Sequence, residues 1–410
     1  MDANGTAFFV LGDSPWSIEV QLTREQVDTY LADRASRGFT AILFECMERR
    51  FSSRSPAYAN AYGQQPFATM SPLSWTSPQA TYWSHIDYIV DAAKSRGIAC
   101  FITPAYLGYD NNRTGEGWMP EVDAASAADL QAYGAFLARR YTQGNVVWVM
   151  GGDYAGTQAQ RDRQWNIATG IRSVNASALI TGHPTRTEDT WQLWSSRTAE
   201  GFNLNTIYTR YSDNDEYGQA ARAYAKPGPM PFVHIEGLYE NENGWTPRAG
   251  RRQAYVSLLG GACGHFFGNN PLWGFGEPVA NSGSGPVAAL ATALNTAGAQ
   301  DMQRLRAFFA AFAWHLLQPR TDASFVNSAL GSGDTRIVPA LASNGSFALV
   351  WTPGGSFTVN MAALAPASVR ARWFDPATGA YVSVAGSPFP NASSRSFVPP
   401  GERILVLDDA

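Results

Sequence analysis

Short runs of apolar residues alternate with longer amphipathic stretches over the first three quarters of the chain. The apolar runs are continuous, a pattern typical of strands in a parallel sheet that is buried on both faces. The stretches between them have helical spacing and end at punctuating residues; one begins at the cap residue Thr23 and stops at Gly38. The predicted strands are Ala7–Leu11, Thr40–Cys46, Ile98–Thr103, Val146–Met150, Ala178–Thr181, Asn205–Thr209, Pro231–Ile235 and Ala262–Phe267.

The helical stretches follow these strands one by one. They are predicted at Thr23–Arg37, Tyr82–Arg96, Ala125–Tyr141, Arg161–Val174, Glu188–Ser196, Glu216–Ala225, Pro247–Leu259 and Gln303–Leu317. Eight strand-plus-helix units predict an α/β fold, a (β/α)8 TIM barrel. An open doubly wound sheet is the alternative, and it is disfavoured because no Gly-x-Gly-x-x-Gly follows the first strand.

The pattern changes beyond Arg320, where short β-rich runs are separated by Gly, Pro, Asn and Ser turns. This pattern predicts a small antiparallel β-sandwich domain. Pro319 marks the predicted boundary, so the barrel covers residues 1–319 and the sandwich residues 320–410. The Gly/Ser/Ala stretch at 280–300 is predicted to be a loop before the last barrel helix. We expect the sandwich to pack against the barrel, since its aromatic residues fall mostly within strands.

Composition narrows the possible functions. Hydrophobic residues make up 45% of the 410 residues, which is ample for a core and excludes intrinsic disorder. With 30 basic and 34 acidic residues the net charge is −4, so charge gives no reason to expect a nucleic-acid partner. No apolar stretch reaches the ~18 residues that a membrane span needs. Low charge and 13% aromatic residues suit a neutral ligand such as a sugar.

Three further features bear on the chemistry and the location of the protein: its lysines, its cysteines and its N-terminal sequence. The only lysines, Lys94 and Lys226, lie in no Schiff-base or P-loop context. The three cysteines are far apart and lie in apolar runs, so we expect buried thiols. The start MDANGTAFFV has no basic segment followed by an apolar one. Cytoplasmic location and export with the signal removed both stay open, and action on a glycan favours a secreted or periplasmic protein.

Polar and aromatic residues follow nearly every predicted strand. Active sites of (β/α)8 barrels lie at the carboxyl ends of the strands, so these residues would line one mouth. Fold stability alone gives little reason for such a set. The predicted mouth residues are Asp13, Trp16, Glu45, Tyr106, Asp153, His183, Tyr208, Arg210, Glu236, His265, Asn269 and Trp273.

Asp153 and Glu236 are the sharpest pair among them. Each ends an apolar strand and is flanked by glycine, which allows a tight turn and close approach of a substrate. The fourth and seventh strands face each other across the mouth, so the two carboxyls can sit about 5–5.5 Å apart, as a retaining glycosidase requires. One would attack the anomeric carbon and the other would serve as acid and base. The alternative is that each carboxylate pairs with an arginine such as Arg210.

Two other functions remain open at this point. A non-catalytic carbohydrate-binding barrel is one, although the intact carboxylate pair argues against it. A metal-dependent hydrolase or isomerase is the other, because His183, His234 and His265 could join Asp153 and Glu236 as ligands. The chain has no HExxH motif, and we expect no metal and no cofactor.

Several stretches together resemble one enzyme family. They are FFVLGDSPWSI at the start, RASRGFTAILFE at the second strand, NVVWVMGGD at the fourth, HIEGLYE at the seventh and RRQAYVSLLGGACGHFFGNNPLW through the eighth. The tail ARWFDPATGAYV is similar to the β-domain that follows such barrels. The chain resembles the apiosidase-like bacterial glycoside hydrolases, glycoside hydrolase family 140 and its relatives, over almost its whole length.

The resemblance implies a retaining glycosidase with Asp153 as acid/base and Glu236 as nucleophile, working through a covalent glycosyl-enzyme intermediate. It also implies an oligo- or polysaccharide substrate, a branched glycan that loses a terminal pentofuranoside such as apiose. The larger clan of barrel glycosidases usually carries Asn-Glu at the fourth strand, whereas this chain has Gly-Gly-Asp.

Overall fold

Eight parallel strands form a nearly closed barrel, which confirms the predicted (β/α)8 architecture. The computed structural model describes residues 4–52, 54–109, 115–153, 156–209, 215–228, 230–275 and 290–410. Neighbouring strands follow the order β5-β4-β3-β2-β1-β8-β7-β6. The strands are β1 Val10–Asp13, β2 Ala41–Glu45, β3 Ala99–Thr103, β4 Val146–Gly151, β5 Leu179–His183, β6 Asn205–Tyr208, β7 Phe232–Glu236 and β8 Gly264–Asn269.

The barrel closes between β5 and β6 through one parallel bridge, Ile180 with Phe202, and through side chains of Asn203 and two threonines. The Thr206 hydroxyl donates to the Gly182 carbonyl at 2.6 Å, and the Thr181 hydroxyl donates to the Leu204 carbonyl at 2.7 Å. Every other neighbouring pair of barrel strands forms a parallel backbone ladder. We call this closure the β5–β6 seam.

Helices surround the barrel, and several start at the side-chain caps that the sequence suggests. The Thr23 side chain accepts from the Gln26 amide in a reciprocal capping box. No described helix combines the length and the apolar character that crossing a membrane requires. The main helices are Arg24–Ser36, Ala80–Lys94, Ala127–Arg140, Gln158–Val174, Thr190–Trp194, Glu216–Tyr224, Pro247–Leu259 and Ala297–Ala310, and shorter ones are Ile18–Gln21, Met119–Ala124 and Leu290–Leu294.

The last helix is displaced from its predicted position. It starts at Ala297, six residues before the predicted Gln303, and Thr296 caps it. Part of the 280–300 stretch is therefore helical rather than a loop, since alanine is the best helix former and outweighs the glycines there. Residues 280–289 of that stretch lie outside the described part of the chain.

Apolar side chains of alternate residues fill the barrel interior, including Leu43, Phe101, Val149 and Phe266. Gly12 on β1 makes room for the largest of them. A Cβ atom there would lie 2.1 Å from the Phe266 ring, so no other residue fits. The interior is a packed core below the mouth, as (β/α)8 barrels require.

The C-terminal domain is an antiparallel sandwich, as predicted. Its larger sheet begins at Leu317, two residues before the predicted boundary at Pro319, because Leu317–Pro319 pairs with the next strand. The smaller sheet joins Phe357–Asn360 to Ser394–Phe397. The larger sheet contains Leu317–Pro319, Val338–Ala342, Ala348–Thr352, Arg403–Asp409, Ser368–Phe374, Tyr381–Ser383 and Phe389–Pro390.

The sandwich and the barrel share one apolar cluster. The rings of Tyr255 and Trp351 stack with centroids 5.6 Å apart, and those of Phe308 and Phe374 are 4.3 Å apart. Tyr255 and Phe308 belong to barrel helices, whereas Trp351 and Phe374 belong to the larger sheet. The sandwich therefore covers an apolar face of the barrel helices.

Candidate active site

The phase of each strand decides which predicted residues reach the barrel mouth. Successive side chains of a strand point to opposite faces. Leu43 lies inside the barrel, so Glu45, two residues later on β2, points inward at the mouth. The same phase brings Asp153 after β4 and His183 on β5 to the mouth, since Val149 and Thr181 precede them on the inner face.

Two glycines shape the turn that carries Asp153. Gly151 and Gly152 have φ angles of +99° and +144°, which side-chain-bearing residues rarely adopt. A Cβ atom at Gly152 would also lie 2.6 Å from the ring of Tyr106. The backbone at this strand end thus requires glycine at both positions, and an asparagine at Gly152 would not fit.

A bulge in β7 aims Glu236 into the mouth. His234 points outward to the helices, where it contacts Ser257, so strict alternation would send Glu236 outward as well. The pairing shifts instead, since Ile207 pairs with His234 and the adjacent Tyr208 pairs with Glu236. The extra residue, Ile235, reverses the phase and turns Glu236 inward.

The imidazole of His183 lies between the two carboxyl groups. Its Nδ1 is 3.4 Å from Asp153 Oδ1, and its Nε2 is 2.7 Å from Glu236 Oε2. The contact at Glu236 has the distance of an ion pair without the alignment of a hydrogen bond. All three side chains are nearly closed off from solvent, with at most 11% exposed.

Burial raises the pKa of both carboxyls and lowers that of the imidazole between them. It raises the pKa of Glu236 to about 7, although hydrogen bonds from Asp153 and Tyr239 act in the opposite direction. Burial raises the pKa of Asp153 well above its usual range, and the charge of Glu236 raises it further. Burial lowers the pKa of His183. Burial thus favours the uncharged form of each of the three groups.

Aromatic side chains wall the mouth. The ring of Trp16 lies 5.6 Å from that of Tyr106 and 5.5 Å from that of His183. The Tyr208 hydroxyl donates to Asp153 Oδ2 at 3.3 Å. The structure thus brings Trp16, Tyr106 and Tyr208 together with Asp153 and Glu236, where a sugar ring can stack.

Tyr239 and Arg186 belong to the site, and the sequence analysis missed both. The indole N–H of Trp16 donates to the Tyr239 hydroxyl at 2.6 Å, and Tyr239 also hydrogen-bonds Glu236. Arg186 stacks 4.7 Å from the ring of Tyr109, and its charge lowers the pKa of Glu236. The tyrosine of the HIEGLYE motif could have been identified from the sequence. Arg186 follows β5 by three residues, and no motif marks it.

Glu45 is a buried carboxyl on the inner face. Burial raises its pKa well above the usual range, and the charges of Glu48 and Glu19 raise it further. Its Oε2 has no hydrogen-bond partner among the residues that the structure describes. A neutral carboxyl with a free oxygen can exchange hydrogen bonds with a sugar hydroxyl.

Asp13 does not reach the mouth, contrary to the prediction. Gly12 faces the interior, so Asp13 points outward to the helix layer. Its Oδ2 accepts from the Tyr30 hydroxyl at 2.6 Å and forms a buried ion pair with Arg34. Asp13 is therefore a structural residue.

His265 and Asn269 also lie on the outer face of their strand, which corrects their assignment to the substrate site. His265 Nδ1 lies 2.9 Å from His234 Nδ1, and the Asn269 amide donates to Glu240 at 2.7 Å. Phe266 between them points inward, which fixes this phase.

Two predicted residues remain. Trp273 lies at the rim, where its indole N–H donates to Glu242 at 2.8 Å and its ring packs 5.0 Å from that of Phe51. Its carbonyl also accepts from the Ser17 amide beside Trp16. Arg210 lies outside the described residues.

The candidate metal ligands that the structure describes are the two carboxyls and the imidazole at the mouth. Among the described residues, Asp153, His183 and Glu236 form the one convergent set of three possible ligands, with atoms within 4.8 Å of one another. His234 and His265 face away from the mouth and cannot join them. The arrangement suits either paired acid–base chemistry or one ion bound by the same atoms.

Comparison with protein families identifies both parts of the chain. The model described as the apiosidase-like catalytic domain matches residues 1–315. A model described as a candidate collagen-binding domain of a collagenase matches residues 321–408. A comparison with curated proteins finds no match.

Solved structures share the fold. A glycoside hydrolase family 5 protein from Bacteroides vulgatus is 23% identical with a TM-score of 0.83, covering 99% of this chain and 91% of that chain. A second structure, described as a glycoside hydrolase, is also 23% identical with a TM-score of 0.83 and covers 100% and 94%. These similarities extend through both domains. Because the catalytic-domain model covers well over half of it, the chain belongs to the apiosidase-like family and is a glycosidase.

Proposed function

We propose that this glycosidase retains the configuration of the sugar it releases, with Asp153 as acid/base and Glu236 as nucleophile. The closeness of the two buried carboxyls carries the proposal. One oxygen of each lies within 4.8 Å of the other. Inverting enzymes hold their carboxyls about 6.5–9.5 Å apart to admit a water, whereas retaining enzymes hold them about 5–5.5 Å apart.

In the first step the Glu236 carboxylate attacks the anomeric carbon and forms an ester bond to it. The bond to the leaving oxygen breaks, and that oxygen keeps the electron pair and takes the proton of Asp153. In the second step Asp153 accepts a proton from water, whose oxygen bonds to the anomeric carbon. The ester bond breaks and its electrons return to Glu236.

The substrate we propose is a branched glycan that loses a terminal pentofuranoside such as apiose. The name of the matched family supports this choice. The mouth offers stacking surfaces on Trp16 and Tyr106 and a neutral carboxyl on Glu45, and it presents these groups to one small ring. Such a set recognises hydroxyls and ring faces rather than a charged group.

The first test is hydrolysis of para-nitrophenyl pentofuranosides and pyranosides, with the released anomer followed by NMR. We expect one pentofuranoside to be cleaved with its configuration retained. Release of the inverted anomer would contradict the nucleophile assignment, and cleavage of pyranosides alone would contradict the substrate class.

Substitution of the pair tests the two roles separately. Glu236→Gln should abolish turnover of every substrate. Asp153→Ala should retain activity on aryl glycosides with good leaving groups, which need little protonation, and lose about 10²–10⁴-fold on natural glycans. Glu25→Gln, on an exposed helix face, is the control. Equal losses for Asp153→Ala on both substrate types would refute its role as acid.

Metal-dependent hydrolysis is the second candidate, because the same three side chains converge. Dialysis against a chelator separates it from the first. Activity that disappears and returns with zinc or manganese would establish the metal enzyme, whereas unchanged activity would support the carboxylate pair.

A further inference from the structure

Two buried glutamines lie behind the turns that carry Asp153 and Glu236. Gln164 is fully buried on the helix Gln158–Val174, which follows β4. Gln253 is 1% exposed on the helix Pro247–Leu259, which follows β7. Each side chain therefore comes from the helix that follows the strand bearing the carboxyl, and the two reaction steps described above use neither of them.

Gln164 holds the backbone two residues before the acid/base carboxyl. Its Oε1 accepts from the Gly151 amide at 2.7 Å, and its Nε2 donates to the Ala105 carbonyl at 3.0 Å. The backbone ladder between β3 and β4 ends at Ile102 and Trp148. Beyond that point the side chain of Gln164 bridges the two strand ends and pairs a buried N–H that the ladder no longer reaches.

Gln253 holds the backbone two residues after Glu236 in the same manner. Its Oε1 accepts from the Leu238 amide at 2.8 Å, and its Nε2 donates to the Thr209 hydroxyl at 3.3 Å. The Thr209 amide in turn donates to the Glu236 carbonyl at 3.1 Å. A Cβ atom at Gly237 would lie 2.6 Å from Gln253 Oε1, so the turn fits closely against the glutamine.

Both turns depart from regular strand geometry where the carboxyl begins. Ile235 interrupts the register of β7 with β6, and the φ angles of Gly151 and Gly152 are positive at the end of β4. A regular ladder therefore does not fix the direction of either carboxyl. In each case a side-chain amide from the following helix supplies a hydrogen bond to the irregular backbone.

We propose that Gln164 and Gln253 are positioning residues, each of which fixes the direction of one catalytic carboxyl. The inference rests on the proposed function. Gln164 keeps Asp153 directed at the leaving oxygen, and Gln253 keeps Glu236 directed at the anomeric carbon. An amide does not titrate, so each glutamine acts only through the backbone of its turn. A displacement of about 1 Å in a reacting group can cost about 100-fold in rate.

Replacing each glutamine by methionine removes both of its hydrogen bonds at nearly unchanged volume. The readout is kcat/KM on para-nitrophenyl and phenyl glycosides of the sugar that the wild type releases, because attack and protonation of the leaving oxygen both belong to the first step. Gln253→Met should lose about 10–100-fold on both glycosides, since both need the nucleophile. Gln164→Met should lose about tenfold more on the phenyl glycoside, whose poorer leaving group needs the proton.

Controls separate this pattern from loss of stability. Asp13→Asn breaks a buried ion pair away from the mouth and should leave the ratio of the two kcat/KM values unchanged. Thr209→Val removes the partner of Gln253 and should repeat its uniform loss to a smaller extent, which keeps the test available if methionine prevents folding. The same ratio in both methionine variants, or wild-type rates in both, would overturn the proposal.

Hydrogen exchange tests the two anchors in the wild type. The Gly151 and Leu238 amides should exchange as slowly as amides of the barrel strands, and fast exchange would overturn the proposal without any variant. Asp153→Ala is the reference for a missing acid. If it depends on the leaving group and Gln164→Met does not, this inference alone fails. If Asp153→Ala shows no such dependence, the proposed function fails and the inference falls with it.

Discussion

Asp13 and Arg34 form an ion pair that water does not reach. The side chains are 2% and 0% exposed, and the Tyr30 hydroxyl completes the contacts of Asp13 Oδ2. Removing one partner of such a pair leaves a buried charge without compensation. Because the pair lies on the outer face of β1, we expect its loss to lower the stability of the fold and to leave substrate binding unchanged.

We expect Asp13→Asn to lower the free energy of unfolding by about 3–5 kcal/mol and to leave KM unchanged. Denaturant unfolding and steady-state kinetics measure the two quantities. Asp28→Asn removes the half-exposed partner of Arg96 and serves as control, with a loss of at most about 1 kcal/mol. A raised KM with wild-type stability would restore Asp13 to the substrate site.

Strands β7 and β8 are joined on their outer faces by two histidines. His234 and His265 approach through Nδ1 at 2.9 Å, and Thr209 lies 2.9 Å from the other nitrogen of His234. Burial lowers the pKa of His234 to about 3 and that of His265 well below its usual value. Both rings are neutral in the fold, while in the unfolded chain each binds a proton below about pH 6.5.

This difference makes the fold less stable in mild acid. A histidine whose pKa is lowered by folding contributes stability that is complete above about pH 6.5 and is lost as the pH falls toward its folded value. In that range each such histidine lowers the free energy of unfolding by about 1.4 kcal/mol for every pH unit.

We therefore expect His265→Gln to weaken the dependence of the free energy of unfolding on pH. Between pH 6.5 and 5 the wild type should lose about 2 kcal/mol more than the variant, measured by denaturant unfolding at each pH. The carboxyls of Glu45, Asp153 and Glu236, whose pKa values are raised, act in the opposite direction, and they cancel in this comparison. Parallel curves for the two proteins would contradict the prediction.

The elements of the barrel could be predicted because continuous apolar runs and glycine stops determine them locally. The faces of the residues at strand ends could not all be predicted. Asp13, His265 and Asn269 depend on the phase of their strands, which becomes visible only when the interior neighbours Gly12 and Phe266 are known. The residues at a strand end do not by themselves show which of their side chains point into the barrel.

The position of Glu236 was predicted, although the alternation of side chains along β7 does not account for it. Its place at the mouth was predicted, yet alternation from His234 would have placed it outside. The extra residue Ile235 in the pairing with β6 corrects the phase. Such a bulge depends on the partner strand, so no pattern within β7 alone indicates it.

On the scale of the whole molecule, the sandwich completes the apolar core of the barrel helices. Trp351 is 1% exposed and stacks on Tyr255 of the helix Pro247–Leu259. That helix leads directly into β8. Stability of the two domains is therefore coupled through this cluster.

We expect Trp351→Ala to lower the free energy of unfolding by about 3–5 kcal/mol, in a single transition that includes loss of activity. Calorimetry together with an activity assay during heating measures both. Val398→Ala, at a side chain that is 75% exposed, is the control. A variant in which the sandwich melts first while the barrel stays active would show that the domains are independent.

The β5–β6 seam has a consequence for the breadth of substrates. His183 ends β5 and Tyr208 ends β6, so the two walls of the pocket stand on opposite sides of this seam. The seam contains the hydroxyl hydrogen bonds of Thr181 and Thr206 and a single backbone bridge between Ile180 and Phe202. Opening the seam breaks one backbone bridge and a few side-chain hydrogen bonds worth about 1 kcal/mol each, instead of a continuous ladder. We expect Thr206→Val to widen the range of accepted sugars while the preferred sugar is cleaved at a similar rate, so evolution can alter selectivity here without changing a residue that touches the ligand.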